Sequence, residues 1–449
     1  MSSLVAGPSN HIQTDIEDVL QKNSDSISSE LLQNRTISSG HTVLFRLPSG
    51  DTRSLVIKAN QELNFGKFGK FDTNSLIGQP FGLSYEIVDK ELRVIPPKPL
   101  QDLEETEATN ELIYDGQSVQ PLSSEEIEQL KKQNTPATAI IQAQIENHVN
   151  YHLKTEYSKD KYRKRKEAKF SKSFSTLEPT LYNVNEYWFS KDPSKIRELR
   201  SDALAQMLSH GNVHTDGRYL VVDDGAGILV TAVLERLAGK GRLIVINNTE
   251  SPPTHFVLDN MNFSKNQLKV MTTMNWAYTD PNWNVEYHTD DESERKNEKQ
   301  KVRLEKRKRL VEDLSQLRAE FFAGDWDGLL ISSEYEPYSI IELLEPLLAG
   351  SANIVVHHPN IQVLAGVQTK LRQCPQYLSP NITEIWTRRY QVLPGRFHPL
   401  MTMSGNAGYL LHTIKVFNNP MANAVENERK LARLAKKRKI MSGGTISVS

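Results

Sequence analysis

The stretch Arg218-Tyr-Leu-Val-Val-Asp-Asp-Gly-Ala-Gly-Ile-Leu229 constrains the fold of this chain more than any other segment. Its apolar run, Leu220-Val221-Val222, predicts a buried parallel strand. Asp223 then opens a tight turn in which Gly225 and Gly227 let bare backbone lie against a neighbour or a ligand. Val230, Val233, Leu234 and Leu237 follow at helical spacing, and Gly239 is placed to cap the helix. A strand, a glycine turn and a helix in that order open a Rossmann-like sheet. Leu229, however, stands where a third glycine would complete the loop. The next strand, Arg242-Leu-Ile-Val-Ile246, ends in Asn247-Asn248, where an acidic residue ordinarily holds a ribose. Asparagine offers one acceptor oxygen and a donor, so it cannot reproduce a charged bidentate contact. Asp223, Gly225, Gly227 and Asn247 therefore read as a vestigial cofactor pocket that binds nothing.

The rest of the larger domain, expected over 173–418, alternates strand and helix. Strands are predicted at 219–223, 242–246, 268–272, 329–331, 354–356, 382–390 and 409–417, with helices at 202–209, 339–348 and 361–371. Such alternation implies a doubly wound parallel sheet with helices on both faces. A charged insertion, 285–318, interrupts it with a helix that Lys301, Glu305 and Arg309 support at four-residue steps. Ahead of this domain, short strands about the turn Pro48-Ser-Gly-Asp51 and the run Gly66-Lys-Phe-Gly-Lys-Phe71 predict a small β-barrel over 39–97. Residues 1–38 are polar and read as a disordered tail. An acidic then basic helical linker spans 98–172, with one helix capped at Ser123 and another over 136–152, and 419–449 is a basic tail.

Charge is segregated along the chain, although its net value is −1. From Asp102 to Glu126 there are eight acidic residues and no Lys or Arg; Lys159 to Lys172 carries eight basic against two acidic. Arg295 to Arg309 carries nine against two, and Arg429 to Lys439 seven against none. Blocks of this kind favour solvated polyanion-binding segments over a uniformly basic surface. In the first basic block Tyr162 and Phe170 interleave with the cations, which suits phosphate neutralisation with stacking on unpaired bases. Lys436-Lys-Arg-Lys439 reads as a nuclear localisation patch.

Other chemistries find little support. No apolar run approaches the roughly 20 residues that cross a bilayer, and no secretory signal is read at Met1-Ser-Ser-Leu-Val. The single Cys374 excludes an internal disulfide and a multi-cysteine zinc site, which points to a reducing compartment. His357-His358 and His398 are too separated for a metal site. Where the strand Asp327-Gly-Leu-Leu-Ile331 ends, Glu334 and Glu336 read as a surface carboxylate or a helix N-terminal charge rather than a catalytic acid. No phosphate loop or nucleophile elbow is present, so no catalytic residue is assigned.

Several segments resemble one family, the non-catalytic subunits of the eukaryotic tRNA (adenine-58-N1)-methyltransferase. They are Val43 to Ile95; Leu153-Lys-Thr-Glu-Tyr-Ser-Lys-Asp-Lys-Tyr162 with the basic run; and Asp202-Ala-Leu-Ala-Gln-Met-Leu208. The most specific is Tyr390-Gln-Val-Leu-Pro-Gly-Arg-Phe-His-Pro399, leading to Met403-Ser-Gly-Asn-Ala-Gly-Tyr-Leu-Leu411. Gly405-Asn-Ala-Gly408 departs from a run of glycines that is usual there. The resemblance implies a small β-barrel joined to a degenerate Rossmann-like methyltransferase domain that binds no cofactor, with S-adenosylmethionine on a catalytic partner subunit. It implies two such pairs in a heterotetramer, with tRNA lying across the subunit interfaces. By carry-over, Lys161, Arg163, Lys164, Arg165, Lys166, Lys169, Lys195, Arg197, Arg200, Arg388, Arg389, Arg396 and His398 are expected to contact tRNA. An active S-adenosylmethionine-dependent RNA methyltransferase, and an RNA-binding assembly factor unconnected with methylation, are the alternatives.

Overall fold

Alternate side chains of short strands build the first layer. In the computed structural model, β1 (Thr42–Arg46) pairs antiparallel with β2 (Thr52–Val56), and β5 (Ser84–Val88) with β6 (Glu91–Ile95). Between them lies β7 (Ser173–Leu177), giving the order β2-β1-β7-β5-β6. A separate hairpin, β3 (Glu62–Asn64) and β4 (Lys70–Asp72), places Phe65, Phe68 and Phe71 inward. Phe45, Phe65, Phe71, Tyr85 and Phe174 form one aromatic core, with paired ring centroids 5.0–5.5 Å apart. Two expectations need correction here. The sheet is open, with β2 and β6 as its edges among the described residues, so no closed barrel forms over 39–97. Its central strand comes from 173–177, which was expected to open the larger domain.

The structure describes residues 36–96, 125–127, 129, 137–148, 151, 154–249, 253, 255–283, 298–393, 396–417 and 432–436. The expected tail before residue 36, the acidic stretch with its Ser123 cap, and most of the 419–449 tail lie outside these residues. Within the linker, α1 (Ala137–Glu146) and α2 (Glu156–Phe170) are helical. Thr155 caps α2 by accepting the Ser158 amide at 3.3 Å.

The larger sheet contains β8 (Arg218–Asp223), β9 (Arg242–Asn247), β10 (Met271–Asn275), β11 (Trp326–Ser332), β12 (Leu348–His358), β13 (Tyr377–Glu384) and β16 (Tyr409–Lys415), in the order β10-β9-β8-β11-β12-β16-β13. It is parallel from β10 to β12, but β16 runs antiparallel to both β12 and β13. The all-parallel expectation fails because no crossover helix separates β13 from β16, and a parallel neighbour needs one. In its place an exposed hairpin, β14 (Tyr390–Leu393) with β15 (Arg396–Pro399), interrupts the connection, so the strand expected over 382–390 ends at Glu384.

Period-two alternation divides the β8 side chains between the two faces. Tyr219 and Val221 join one core with Leu204 and Met207 of α4 (Ser201–His210) and Leu229, Val233 and Leu234 of α5 (Ile228–Leu237). Leu220 and Val222 join the other, with Phe321 of α7 (Glu298–Phe322), Ile340 and Ile341 of α8 (Pro337–Leu344) and Leu364 of α9 (Ile361–Arg372). Short helices α3 (Leu181–Lys191) and α6 (Lys265–Leu268) complete the covering layer. Asn262 docks the two sheets by accepting the Thr42 amide at 2.7 Å and donating to its carbonyl at 3.0 Å.

Candidate functional site

Strand order reverses between β8 and β11, and ligands of open α/β sheets bind beyond the carboxyl ends of the strands at such a point. Here that position is filled by the chain itself. A 3-10 turn, Pro193–Ile196, lies over the glycine turn, and the Lys195 carbonyl accepts the Ala226 amide at 2.7 Å. A Cβ on Gly225 would stand 2.8 Å from that carbonyl oxygen. Gly227 sits at φ +86°, and a Cβ there would meet the His255 ring at 2.7 Å. Both glycines are required, but by protein neighbours.

Asp223 ends β8 with its carboxylate buried, accepting the amides of Gly225 and Leu229 at 3.0 Å and of Val230 at 3.4 Å. Burial pushes its pKa up to about 6, against the pull of those three amides. Asp224 faces the crevice. Arg197, in the left-handed region at φ 56°, grips it bidentately at 2.6 and 2.7 Å and also pairs with Glu334. Asp224 in turn accepts the Ser333 hydroxyl at 3.0 Å and the Glu334 amide at 2.8 Å. Burial raises its carboxyl, but the Arg197 hydrogen bonds override this and hold it below the usual range. The result is a latch tying the ends of β8 and β11 to the Pro193–Ile196 turn.

An adenosyl cofactor does not fit these residues. The Ala226 amide is taken by the Lys195 carbonyl, and the Asn247 amide oxygen accepts from the Thr249 amide at 3.0 Å and hydroxyl at 2.8 Å. The two glutamates at the β11 end are likewise engaged. Glu334 pairs with Arg197, while Glu336 caps α8 through the Ser339 amide at 2.6 Å and pairs with Lys370 at 3.3 Å. His357, fully buried, has its pKa pushed down by burial to about 4 and is neutral at pH 7.

The expected RNA contacts fall into three groups. Lys161, Arg163, Arg165 and Lys169 are exposed on α2, with Lys166 half-buried beside the Tyr162 ring at 5.1 Å; Lys164 is on the same helix. Lys195 is exposed on its turn. Arg197 and Arg200 require correction. Arg197 is the latch, and Arg200 is 3% exposed, with its guanidinium held by Asp202 at 2.6 and 2.7 Å and by the Ser404 carbonyl at 2.7 Å. Arg200 presents no cation to solvent, and the partly exposed Arg197 is committed to two carboxylates. Arg388, Arg389, Arg396 and His398 cluster on and beside the β14–β15 hairpin. Arg389 pairs with Glu186 at 2.7 Å, and His398 is exposed. The departing loop is explained locally. Gly408, at φ +77°, would place a Cβ 2.5 Å from the His357 ring, and Asn406 accepts the Gly408 amide at 2.8 Å in an Asx turn.

The hairpin carries a feature that sequence reading missed. Trp386, Val392 and Phe397 are 69%, 68% and 69% exposed, and Tyr390 stacks on Phe397 with centroids 4.7 Å apart. Alternation along Tyr390-Gln-Val-Leu was the available signal, but on a two-stranded arm neither face has a core to enter.

The Gcd10p family profile matches residues 36–309. The Schizosaccharomyces pombe tRNA (adenine(58)-N(1))-methyltransferase non-catalytic subunit trm6 is 30% identical over 428 residues, covering 86% of this chain and 93% of that protein. Its Debaryomyces hansenii counterpart, TRM6, is 28% identical over 424 residues, covering 88% and 89%. Among solved structures, a SAM-dependent O-methyltransferase from Thermotoga maritima aligns with a TM-score of 0.48 at 12% identity, covering 86% of this chain and 96% of that one.

Proposed function

The chain belongs to the Gcd10p family, and from that premise we infer that it is the non-catalytic subunit of a tRNA (adenine(58)-N(1))-methyltransferase. The observation that carries this reading is the filled crevice. Where a methyl donor would lie, Arg197 is paired with Asp224 and Glu334, and the Lys195 carbonyl takes the Ala226 amide of the glycine turn. Methyl transfer therefore belongs to a catalytic partner, which holds S-adenosylmethionine, and this chain contributes surface.

That surface is proposed to grip tRNA through Lys161, Arg163, Lys164, Arg165, Lys166 and Lys169 of α2, joined by Lys195, Arg388, Arg389, Arg396 and His398. Support comes from the exposure of the α2 cations and the aromatic Tyr162 among them. The exposed apolar hairpin is the proposed docking arm for a protein partner, in a two-plus-two assembly. Nuclear residence is proposed from the basic run Lys436-Lys-Arg-Lys439.

The test is co-expression with the catalytic subunit, followed by assays of tRNA binding and methyl transfer. Replacing Arg163, Arg165 and Lys169 by Gln is expected to weaken tRNA binding and to lower its salt slope by about one per lost phosphate contact, with the complex intact. An unchanged slope removes α2 from the interface. Methyl transfer by the isolated chain would overturn the non-catalytic assignment itself.

A further inference from the structure

The described part of the charged insertion lies in α7, a helix whose C-terminal part is anchored in the larger domain. Leu317 and Phe321 are buried in the sheet core with Leu314 packed against it. Glu320 pairs with Arg242 at 2.8 Å, and Arg318 donates to the carbonyls of Tyr278, Trp283 and Asp280 at 3.1, 2.6 and 2.8 Å. From Glu305 back towards the N-terminus the described side chains are all exposed, as are those of 306–310. The projecting part, 298–310, is about 20 Å long at a rise of ~1.5 Å per residue.

Helical spacing links the two halves. Arg303, Lys306, Leu310, Leu314, Leu317 and Phe321 follow at steps of three and four, so the row that enters the core continues outward as a basic row, with Arg307 beside it. The cations therefore lie on the side of the helix that faces the protein body at the anchor. Apart from Val302, Leu304 and Leu310, the projecting half carries only charged and amide side chains, with the basic ones in excess, so its form suits a partner of opposite charge.

We propose that the projecting half of α7 is a second RNA-binding element, whose Arg303, Lys306 and Arg307 row takes backbone phosphates of a double-helical arm of the tRNA. This rests on the reading of the chain as a tRNA methyltransferase subunit, but uses none of the residues assigned to that role. Two observations favour nucleic acid over an acidic protein surface. Arg303, Lys306, Arg307 and Arg309 are all exposed within seven positions, a density of cations that a phosphate backbone can neutralise along its length. The helix also has no aromatic residue before Phe321, unlike α2 with Tyr157, Tyr162 and Phe170, so it is equipped for phosphates and not for stacking on unpaired bases.

The experiment compares the full complex with the same complex carrying Arg303→Gln, Lys306→Gln and Arg307→Gln. Fluorescence anisotropy with intact tRNA and with a plain RNA duplex is recorded across a salt series. The expected result is a roughly tenfold weaker Kd for tRNA and a salt slope lower by about two to three, with a parallel loss on the duplex. Arg303→Lys with Arg307→Lys should bind as the parent does, since phosphate neutralisation needs charge alone; loss in that variant would also count against the assignment. If the α2 variant weakens binding while the α7 variant leaves both Kd and slope unchanged, the inference falls and the subunit reading stands. If the parent complex does not bind tRNA, both fall. If the α7 variant instead loses its catalytic partner, measured by mass, with tRNA binding per complex unchanged, α7 is a protein interface and the inference is overturned.

Discussion

Asp223 is buried with a raised pKa, so it destabilises the fold as pH rises. Its folded pKa of about 6 lies above the ordinary 3.8, so between those values the native state binds more protons than the unfolded chain. Its contribution to stability is intact below about pH 4 and is lost as pH rises through 6, by about 3 kcal/mol at 1.36 kcal/mol per unit. Asp223→Asn removes that term. The unfolding free energy of the variant minus that of the parent should therefore rise from pH 4 to pH 7, as urea titrations at each pH would report; a flat difference would mean the carboxyl is solvated. Gly227→Ala tests the turn beside it. With φ at +86° and the His255 ring 2.7 Å from the added Cβ, overpacking should cost about 1–3 kcal/mol, read as a lower urea midpoint. Arg197 shows the limit of sequence reading at this scale. Its partners, Asp224 and Glu334, lie 27 and 137 positions away, so nothing local distinguishes a latch from an RNA contact. Asp223 was legible because the amides it accepts, from Gly225, Leu229 and Val230, lie within seven positions. The neighbours that require Gly225 and Gly227, Lys195 and His255, are as distant as Asp224 is from Arg197. Arg197→Ala should cost roughly 1.5–3 kcal/mol, the usual scale for hydrogen bonds to charged groups, without altering the salt slope of tRNA binding; an altered slope would return Arg197 to the interface.

Elements were legible where one period dominated. The β8–α5 unit, with apolar residues first contiguous and then at helical spacing, forms as its sequence predicts, and α4 at Ser201–His210 lies within one residue of the expected bounds at either end. Strand β7 was assigned to the wrong domain because its alternating Ser173-Phe-Ser-Thr-Leu177 pattern records a half-buried strand but not which sheet receives it. Long-range pairing decides that, across about 130 positions from β1, and leaves no local trace. The hairpin β14–β15 carries a prediction at this scale. Its Val392 and Phe397 contribute nothing to either core, so Val392→Glu with Phe397→Glu should leave the melting temperature of the isolated chain within about 2 °C, since surface changes stay near ±0.5 kcal/mol. If this arm docks a partner, the same pair should abolish co-purification with the catalytic subunit. Retained co-purification would show that the partner binds elsewhere.

At the scale of the whole molecule, a near-neutral net charge coexists with basic helices α2 and α7 and with a crevice whose Asp224, Arg197 and Glu334 side chains are paired with one another. An enzyme would concentrate unsatisfied donors and shifted acids at the switch point, because catalysis needs groups that are incompletely matched before substrate arrives. Here the shifted group, Asp223, faces the α5 amides, and the group facing the crevice, Asp224, is neutralised by Arg197. The proposed contribution of this chain to methyl transfer acts through substrate binding, which affects the reaction at low tRNA concentration, and not through the chemical step. The two routes separate in kinetics. In the assembled complex, Asp223→Ala should leave kcat within about twofold of the parent, while neutralising α2 should raise KM with kcat little changed. A drop in kcat of tenfold or more for Asp223→Ala, in a complex whose mass is unchanged, would mean that the crevice still takes part in catalysis.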